Sequence, residues 1–444
     1  MIVYVVKTLK SHFIRNLFVV MSGTAGAQLI GFMMNPIISR LFSPAEFGIF
    51  GSFNSILSIA TAAVTLNYSQ AIILPREDHR AINLLILSFS GTLFIAVGLL
   101  LLSICMPAFI LDLMKSSNGW FLVLLVIATI LTGLNESLQA WCVRVKAFKN
   151  LASSQVIRSV ASNGSQSALG LWKGNAFFLV SGMIFGELLA SFYLTRSVLQ
   201  DLVKWGREIS WQGMKELGRE YRDFPLYGGS KDIMNAVSMG LPVLLLSQYY
   251  GLAVAGAYAF GVRIIQIPMG FITRSLRPVL FQKASESHNQ GERLFPLYLK
   301  STAGLFTAAL IPMLFFFRWA PDIFVWIFGA EWQTAGEFAK WLLLWLVLVF
   351  SGLPSVLFAR ITRIQGQLFV FEVVLLVSRT LVLILGGIYL HDLDTIILFS
   401  LTSAGLNIIF ILIVGHIVMK EDGLVRDGQV QKEINLVAST DDYD

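Results

Sequence analysis

The sequence predicts an all-α integral membrane protein, with about twelve transmembrane helices in two pseudo-symmetric six-helix lobes around a central cavity. Three observations predict this fold. Of the 444 residues, 56% are hydrophobic and 14% are charged, whereas about 25% of the residues of a typical soluble domain are charged. The apolar residues form twelve long runs, and the longest polar connection follows the sixth run.

A transmembrane helix needs about 20 predominantly apolar residues. No connection between the apolar runs exceeds roughly 30 residues, the size of a large loop, so the sequence leaves no room for a separate soluble catalytic domain. The predicted spans are 16–39, 47–74, 81–111, 119–140, 151–171, 175–195, 224–249, 252–280, 296–317, 335–359, 367–390 and 395–418.

The distribution of Lys and Arg predicts the orientation, because these residues accumulate in cytoplasmic loops. Alternate connections place 23 of them on one side and four on the other, namely Arg40, Lys115, Lys173 and Arg318. Both termini are therefore predicted to be cytoplasmic. The apolar stretch after Lys7, Lys10 and Arg15 is too long for a secretory signal and lacks a small-residue cleavage site, so it is interpreted as the first span.

The spans divide the chain into two lobes and two polar segments. The linker mixes apolar and basic residues, which is typical of a helix on the membrane surface, although a plain charged linker would look the same. The tail lacks an apolar period and is expected to remain mobile. The predicted segments are 1–195 for the N-terminal lobe, 196–223 for the cytoplasmic linker, 224–418 for the C-terminal lobe and 419–444 for the cytoplasmic tail.

A weak internal repeat relates the two halves, as is common in transporters. Asn35-Pro36 precedes Gly48 and Gly51 in the first half, and Leu241-Pro242 precedes Gly256 and Gly261 a little over 200 residues later. Proline kinks a membrane helix, and such kinks serve either packing or movement. The predicted hinge or gate positions are Pro36, Pro242, Pro268 and Arg40.

Span eight carries the clearest polar stripe. Arg263, Gln266, Gly270, Arg274 and Arg277 follow a 3.6-residue period, which places them on one face over about 20 Å. A charged side chain at the bilayer centre costs about 2.5–3.5 kcal/mol on insertion scales, so this face is not expected to contact lipid. The last two arginines could simply mark the cytoplasmic end of the span, but Arg263 lies about four turns deeper.

Spans one, two and seven also carry polar stripes. Together with span eight they are equivalent pairs of helices in the two halves of the internal repeat. Packing through small and hydroxyl side chains can explain a single stripe, whereas four such stripes favour a shared water-filled cavity. The residues are Thr24, Gln28, Gly31 and Asn35 in span one; Asn54, Ser58, Thr61, Thr65 and Tyr68 in span two; and Lys231, Asn235 and Ser238 in span seven.

Further charges lie in spans five and eleven. Arg158 shares a face with Ser154, Ser162 and Ser165, and Glu187 of span six is a candidate ion-pair partner; Glu372 and Arg379 lie two turns apart. A cavity lined by arginines would suit an anionic ligand, because guanidinium groups match phosphate oxygens. The candidate substrate-binding residues are Arg263, Arg274, Lys231, Arg158, Gln28, Asn54 and Gln266.

Several chemistries lack their sequence signatures. No Gly-rich loop of the Gly-Lys-Ser/Thr kind is present, which argues against ATP hydrolysis by this chain. Cys105 and Cys142 support neither a disulfide framework nor a cysteine metal site, and His391-Asp392-Leu393-Asp394 lies in a short turn and predicts no metal site. The net charge of +6 is spread over loops and does not indicate nucleic-acid binding.

Two segments resemble a known family. Residues 39–48, Ser-Arg-Leu-Phe-Ser-Pro-Ala-Glu-Phe-Gly, resemble the connection between spans one and two in the polysaccharide repeat-unit (O-antigen type) flippases of the multidrug/oligosaccharidyl-lipid/polysaccharide exporter superfamily. Residues 263–270, Arg-Ile-Ile-Gln-Ile-Pro-Met-Gly, resemble a span-eight segment that these proteins share with lipid II flippases. With the twelve spans, the resemblance covers nearly the whole chain.

The resemblance implies a V-shaped pair of lobes around a cationic cavity. It also implies a flippase that moves undecaprenyl-pyrophosphate-linked oligosaccharide repeat units across the bacterial inner membrane by alternating access, for O-antigen (lipopolysaccharide), capsule or exopolysaccharide assembly. A polysaccharide polymerase and a chain-length regulator are the implied protein partners. In the lipid II branch, cavity arginines come from spans one, two and eight. Here only Arg263 matches, since spans one and two carry Gln28 and Asn54, and this argues against lipid II as substrate.

Two alternatives come from other functional classes. A cation-coupled multidrug exporter of the same superfamily would need N-terminal carboxylates to bind Na⁺ or H⁺, and spans one to three contain no deep carboxylate. A membrane polysaccharide polymerase or ligase would need a large outside loop, and the longest outside connection, 318–334, has about 17 residues. A non-enzymatic transporter without a cofactor is therefore the leading interpretation, and the sequence does not reveal whether H⁺ or Na⁺ drives it.

Overall fold

The computed structural model describes residues 23–362 and 364–440, and over these residues the protein is all-α, without a strand. The first helix, α1, covers 23–41. The helices that follow are α2 (Pro44–Thr61), α3 (Tyr68–Ala71), α4 (Asp78–Cys105), α5 (Pro107–Leu113), α6 (Trp120–Arg144), α7 (Phe148–Trp172), α8 (Ala176–Trp205), α9 (Trp211–Glu220), α10 (Ser230–Tyr250), α11 (Leu252–Asn289), α12 (Phe295–Phe328), α13 (Gln333–Ser351), α14 (Leu353–Ile361), α15 (Gln365–Tyr389) and α16 (Asp392–Thr440).

A helix occupies each of the twelve predicted spans. By length and composition, eight of the described helices are long and apolar enough to cross a membrane: Asp78–Cys105, Trp120–Arg144, Ala176–Glu208, Leu252–Asn289, Phe295–Phe328, Ala330–Ile361, Gly366–Tyr389 and Asp392–Gly423. The other four positions are filled by α1, α2, α7 and α10, which are shorter or carry more polar residues. Lys7, Lys10, Arg15 and the start of predicted span one, 16–22, lie outside the described residues.

Predicted span two is not one continuous helix, and the prediction was wrong there. α2 ends at Thr61, and six residues turn before α3 begins at Tyr68. Leu66 and Asn67 both adopt left-handed backbone conformations, with φ of 50° and 56°. Asn67 Nδ2 donates to Asp232 Oδ2 at 3.0 Å, so a tertiary hydrogen bond stabilises a conformation that an asparagine tolerates better than most residues.

The described chain forms two compact units. Unit 1 extends to Phe260 and also includes Phe324–Trp332, whereas unit 2 comprises Gly261–Ile323 and the chain from Gln333 onwards. The boundary between the compact units, after Phe260, therefore does not coincide with the predicted boundary between the lobes, at the linker 196–223. The lobe assignment, with the linker between them, stays a prediction.

Within unit 1, α2 and the start of α11 touch backbone to backbone. A Cβ on Gly48 would lie 2.0 Å from the carbonyl oxygen of Leu252, and a Cβ on Gly256 would lie 1.8 Å from that of Pro44. Leu252 follows Pro44 by 208 positions, and Gly256 follows Gly48 by the same number. The two contacts are therefore reciprocal, as a pseudo-twofold relation between repeated segments requires.

Each unit has its own apolar core. In unit 1, a buried cluster joins α3, α4, α6, α8 and α9 through residues such as Ile82, Trp141 and Leu194. In unit 2, a second cluster joins α11, α12, α14 and α16 around Tyr298 and Phe358. The unit 2 cluster covers one side of α11, the helix that carries the basic stripe described below.

The predicted linker is mostly helical and packs on unit 1. α8 continues to Trp205, ten residues past the predicted end of span six, and Leu217 of α9 is buried in the unit 1 cluster. The buried Asn83 side chain donates to Glu208 O at 3.0 Å and accepts from Ser210 N at 2.9 Å. Leu217 of α9 is therefore covered by protein, whereas Trp211 at the start of the helix is 77% exposed. The position of α9 at the membrane surface stays a prediction.

Part of the predicted C-terminal tail is helical, while its mobility stays a prediction. Span twelve was predicted to end at residue 418, but α16 continues to Thr440. The added segment, 419–440, contains only two glycines and no proline, and neither interrupts the helix. The last residues, 441–444, lie outside the described part of the chain.

Candidate functional site

The basic stripe of span eight lies on an uncovered face of α11 in unit 2. Arg263 is half-buried, while Gln266, Arg274 and Arg277 are exposed. Ile264 and Ile265 are buried on the opposite side, so the packing of the helix points the arginines away from the unit 2 core. Over the 11 residues from Arg263 to Arg274 an α-helix rises about 16 Å. The polar residues of the stripe all lie on the continuous helix α11, and their contact with a ligand stays a prediction.

The chemistry of this stripe favours an extended anion. Each guanidinium presents planar N–H donors that match phosphate oxygens in pairs. Gly270 lies between the arginines, and a Cβ there would have no atom within 4 Å, so the middle of the stripe is open. Pro268, another predicted hinge, is exposed inside the same continuous helix.

The stripe of span one is partly taken up by packing against α7. Thr24 Oγ1 donates to Gln155 Oε1 at 2.7 Å, and Ser159 Oγ donates to Ala27 O at 2.6 Å. Gly31 faces the side chain of Asn163. These bonds support the helix-packing interpretation for this stripe. Gln28, the predicted substrate contact, is half-buried.

The buried Asn35 amide next to Pro36 differs from the rest of that stripe. Asn35 is 1% exposed, and its side-chain nitrogen and oxygen have no hydrogen-bond partner among the described residues. An unpaired buried amide costs about 1–3 kcal/mol. The helix is continuous through Pro36, so the hinge role of Pro36 stays a prediction.

In the stripe of span two, one residue bonds to its own helix and two others bond to a different helix. Asn54 Nδ2 donates to Phe50 O in its own helix at 2.9 Å, and the Asn54 side chain is half-buried. Thr65 Oγ1 and Ser69 Oγ instead lie 3.1 and 2.6 Å from Glu136 Oε1. These two hydroxyls bind α6 at the break after α2 and are not free to contact a ligand.

In span seven, Lys231 and Asn235 are exposed and Ser238 is buried. Pro242 is buried inside the continuous helix α10, and a Cβ on nearby Gly240 would lie 3.1 Å from the Cβ of Ser55. α10 is therefore packed closely on α2. Lys231 is placed where a ligand can reach it, but nothing further supports its predicted role.

The predicted ion pair of Arg158 is confirmed. Arg158 Nη1 lies 2.9 Å from Glu187 Oε1. Asn135 Nδ2 donates to the other carboxylate oxygen at 2.7 Å and to Glu187 O at 3.1 Å. Glu187 is mostly buried, while the Arg158 side chain is 49% exposed. The Glu187 carboxylate thus accepts from two side-chain donors. The exposed part of the Arg158 guanidinium is still accessible, so its contact with a substrate stays a prediction.

Arg379 belongs to the core of unit 2 and not to an uncovered face. It is 3% exposed, its Nε donates to Ser403 Oγ at 2.9 Å, and its guanidinium lies 4.4 Å from the centroid of the Trp345 ring and 5.7 Å from that of Phe399. Cation–π contacts of a desolvated arginine stabilise by about 2 kcal/mol. Glu372 is exposed.

Arg40, predicted as a gate residue, lies at a site that the sequence did not reveal. Its guanidinium donates to Trp326 O and Ile327 O, both at 3.3 Å, and borders a pocket of about 520 Å³ that also involves Gly174, Glu331 and Trp332. The signal in the sequence was a run of aromatic residues: Phe324 and Phe328 are four residues apart, which places them on one face of α12, and Trp332 follows in the turn after Gly329.

Solved transporter structures share the all-helical fold of this chain. The structure resembles an inward-facing MATE-family multidrug transporter with a TM-score of 0.69 and 14% identity, over 90% of this chain and 96% of that one. It resembles the lipid II flippase MurJ, in an inward closed conformation, with a TM-score of 0.70 and 13% identity, over 89% of this chain and 86% of that one.

A sequence model of the polysaccharide biosynthesis protein family matches residues 37–337, and the chain belongs to this family. A relative is the succinoglycan biosynthesis transport protein ExoT of Rhizobium meliloti (strain 1021), which is 23% identical over 356 residues, or 78% of this chain and 67% of that protein. The family resemblance predicted from residues 39–48 and 263–270 is thereby confirmed. The protein is a multi-pass membrane protein of polysaccharide biosynthesis with a transporter fold.

Proposed function

We propose that this protein is a flippase for undecaprenyl-pyrophosphate-linked oligosaccharide repeat units. It moves them from the cytoplasmic to the periplasmic leaflet of the bacterial inner membrane by alternating access, and both of its termini are cytoplasmic. The product serves O-antigen, capsule or exopolysaccharide assembly, where a polymerase and a chain-length regulator use it. The protein moves its substrate without chemical change and is not an enzyme.

The observation that carries this proposal is the basic face of α11. Arg263 lies well inside a helix of membrane-spanning length, yet its side chain is only half-buried and the packing face of the helix lies elsewhere. An intramembrane arginine is costly unless it contacts water or an anion. A lipid pyrophosphate supplies such an anion, and its prenyl chain can remain in the bilayer while the headgroup moves along the stripe.

The other candidate residues are also proposed as substrate contacts, within each unit by itself. Gln266 and Arg274 continue the face of α11 toward its C-terminal end, and Lys231 and Asn54 add polar groups from α10 and α2. Gln28 and Arg158 complete the predicted set. Family membership and the transport protein named among the relatives support a cargo used in polysaccharide synthesis.

The proposal is tested by deleting the gene and measuring lipid-linked oligosaccharides by mass spectrometry of lipid extracts. We expect undecaprenyl-pyrophosphate oligosaccharide to accumulate and surface polysaccharide to disappear, with both restored by the intact gene. Unchanged lipid intermediates together with altered drug sensitivity would instead indicate a multidrug exporter, whose fold this chain shares.

The role of Arg263 is tested by complementing the deletion with Arg263→Glu. The variant should reach the membrane in normal amount but restore less than about a tenth of the surface polysaccharide, because reversing the charge repels the pyrophosphate. Arg318→Glu is the matched control, since Arg318 is an exposed arginine of α12 outside the stripe. Normal polysaccharide from Arg263→Glu would refute the role of this residue.

A further inference from the structure

Helix α9 of the linker attaches to unit 1 through one of its faces. Leu217 on that face is 2% exposed and belongs to the buried cluster of unit 1. A hydrogen bond and an ion pair add to this contact from α3 and α4. Tyr68 Oη donates to Gly218 O at 3.0 Å, and Arg80 pairs with Glu220. These contacts fix the rotation of α9 about its own axis, so its opposite face is a defined surface.

The opposite face of α9, which we call the linker face, carries one aromatic and two basic side chains. Trp211, Lys215 and Arg219 follow one another at intervals of four residues, which places them in one row about 12 Å long. Trp211 is 77% exposed, and Lys215 and Arg219 are exposed as well. Neither cation forms an ion pair with a described residue. Both are therefore available to an anion from outside the protein.

The acidic residues of the same segment do not neutralise the linker face. Glu220 is engaged by Arg80 on the attached side of the helix, and Glu208 precedes the helix. Glu216 is exposed, but it lies about 100° around the helix from Lys215, because each residue turns an α-helix by that angle. The row on the linker face is thus positively charged.

The end of α8 shows where the linker face lies relative to the bilayer. Apolar side chains on one side of α8 are exposed, as on a surface that contacts lipid: Phe185, Leu188, Phe192, Leu199 and Val203. Two exposed basic residues, Lys204 and Arg207, follow directly, and α9 begins four residues after Arg207. Basic residues and tryptophan are typical of the headgroup level beside a membrane span. The linker face therefore begins close to the end of the lipid-exposed surface.

We propose that the linker face binds the phosphate groups of anionic phospholipids in the leaflet that borders the C-terminal end of α8. Guanidinium and ammonium groups match phosphate oxygens, and basic residues beside a membrane span attract anionic lipids. A surface helix ordinarily turns its apolar side into the membrane, whereas Leu217 of α9 packs into unit 1. The lipid contact accordingly comes from the charged side and Trp211. This inference does not depend on what the protein transports.

The test is hydrogen–deuterium exchange of the full-length protein in nanodiscs, followed on peptides that cover residues 205–222. Nanodiscs of phosphatidylcholine are compared with nanodiscs that also contain phosphatidylglycerol, which is anionic. Each Lys or Arg near an anionic surface strengthens binding by about fivefold. We therefore expect phosphatidylglycerol to slow exchange of wild-type α9 by roughly 25-fold, because opening of the helix must break both contacts. High salt should reduce this difference, since it screens exposed charges.

Two double variants separate the linker face from net charge. Lys215→Gln with Arg219→Gln should exchange at nearly the same rate in both kinds of nanodisc. Lys283→Gln with Arg293→Gln is the matched control, because it removes the same charge from exposed positions at the end of α11 and just after it. The control should keep the full effect of phosphatidylglycerol. All four side chains are exposed, so both double variants should exchange like the wild type in pure phosphatidylcholine.

Three results would overturn the proposal. Equal exchange of wild-type α9 in the two kinds of nanodisc would exclude the lipid and leave the linker face to an acidic protein partner. An equal loss of the lipid effect in the control would assign the effect to net charge and not to this face. Slowing of α9 by inorganic phosphate in pure phosphatidylcholine would show that the face binds free phosphate and not a lipid headgroup.

Discussion

At the scale of single residues, two arginines are stabilised in different ways: Arg158 by an ion pair with Glu187, and Arg379 by two aromatic rings and a hydroxyl group. Arg158 and Glu187 lie on neighbouring spans, and opposite charges within a bilayer favour pairing, so their ion pair followed from the sequence. Arg379 is held by Trp345, Phe399 and Ser403, which come from α13 and α16. No local sequence pattern identifies these partners, because the separation of two residues along the chain does not show whether their helices pack against each other.

Exchanging the two charges separates the structural role of Arg158 from its predicted role in binding. Arg158→Glu alone should lower the melting temperature in detergent, because two carboxylates then share a site whose other donor is only Asn135. The double variant Arg158→Glu with Glu187→Arg should recover most of that loss. If the double variant is as unstable as the single one, the ion pair does not stabilise the protein.

The same double variant also reports on substrate. If Arg158 contacts the pyrophosphate, the exchanged pair should fold normally yet restore little surface polysaccharide. Full restoration of polysaccharide by the double variant would limit Arg158 to its bond with Glu187 and remove it from the proposed binding site.

At the scale of elements, helix positions were predictable and helix interruptions were not. Apolar composition places all twelve spans, since a bilayer demands length and hydrophobicity. The break after Thr61 depends on bonds from Asn67 to Asp232 and from Ser69 to Glu136, which join elements far apart in sequence. The packing of span one against α7 escaped prediction for the same reason, although its polar residues were identified.

The glycine crossing of α2 and α11 gives a prediction at this scale. Gly256→Ala would place a methyl group 1.8 Å from the carbonyl oxygen of Pro44, so the two helices must separate. We expect a loss of about 1–3 kcal/mol or more of unfolding free energy, measured as a lower midpoint of thermal or denaturant unfolding. Gly48→Ala should behave alike, because its contact with Leu252 is the reciprocal one.

Gly270→Ala is the matched control on the same helix. A Cβ at this position has no atom within 4 Å, and alanine favours helix over glycine by about 1 kcal/mol. The control should therefore be neutral or slightly stabilising. Equal destabilisation by Gly256→Ala and Gly270→Ala would show that the close approach of α2 and α11 is not a constraint on the fold.

At the scale of the whole molecule, the internal repeat was visible in sequence but its structural consequence was not. The offset of a little over 200 residues becomes a shift of 208 in the reciprocal contacts of α2 and α11. Those contacts explain why the start of α11 belongs to unit 1. The ring contacts of Phe324, Phe328 and Trp332 with Phe260 explain why the segment Phe324–Trp332 belongs to it as well. Family membership was predictable because two short motifs resemble the family, one where α1 ends and α2 begins and the other on the basic face of α11.

The most direct test of the central claim is a flipping measurement with purified protein in liposomes that contain undecaprenyl-pyrophosphate oligosaccharide in both leaflets. A membrane-impermeant glycosidase reports the fraction of oligosaccharide accessible from outside. Protein-free liposomes should expose only their outer leaflet, and liposomes with the wild-type protein should become almost fully accessible, while Arg263→Glu stays at the protein-free level. Wild-type liposomes that expose no more oligosaccharide than protein-free ones would contradict the account.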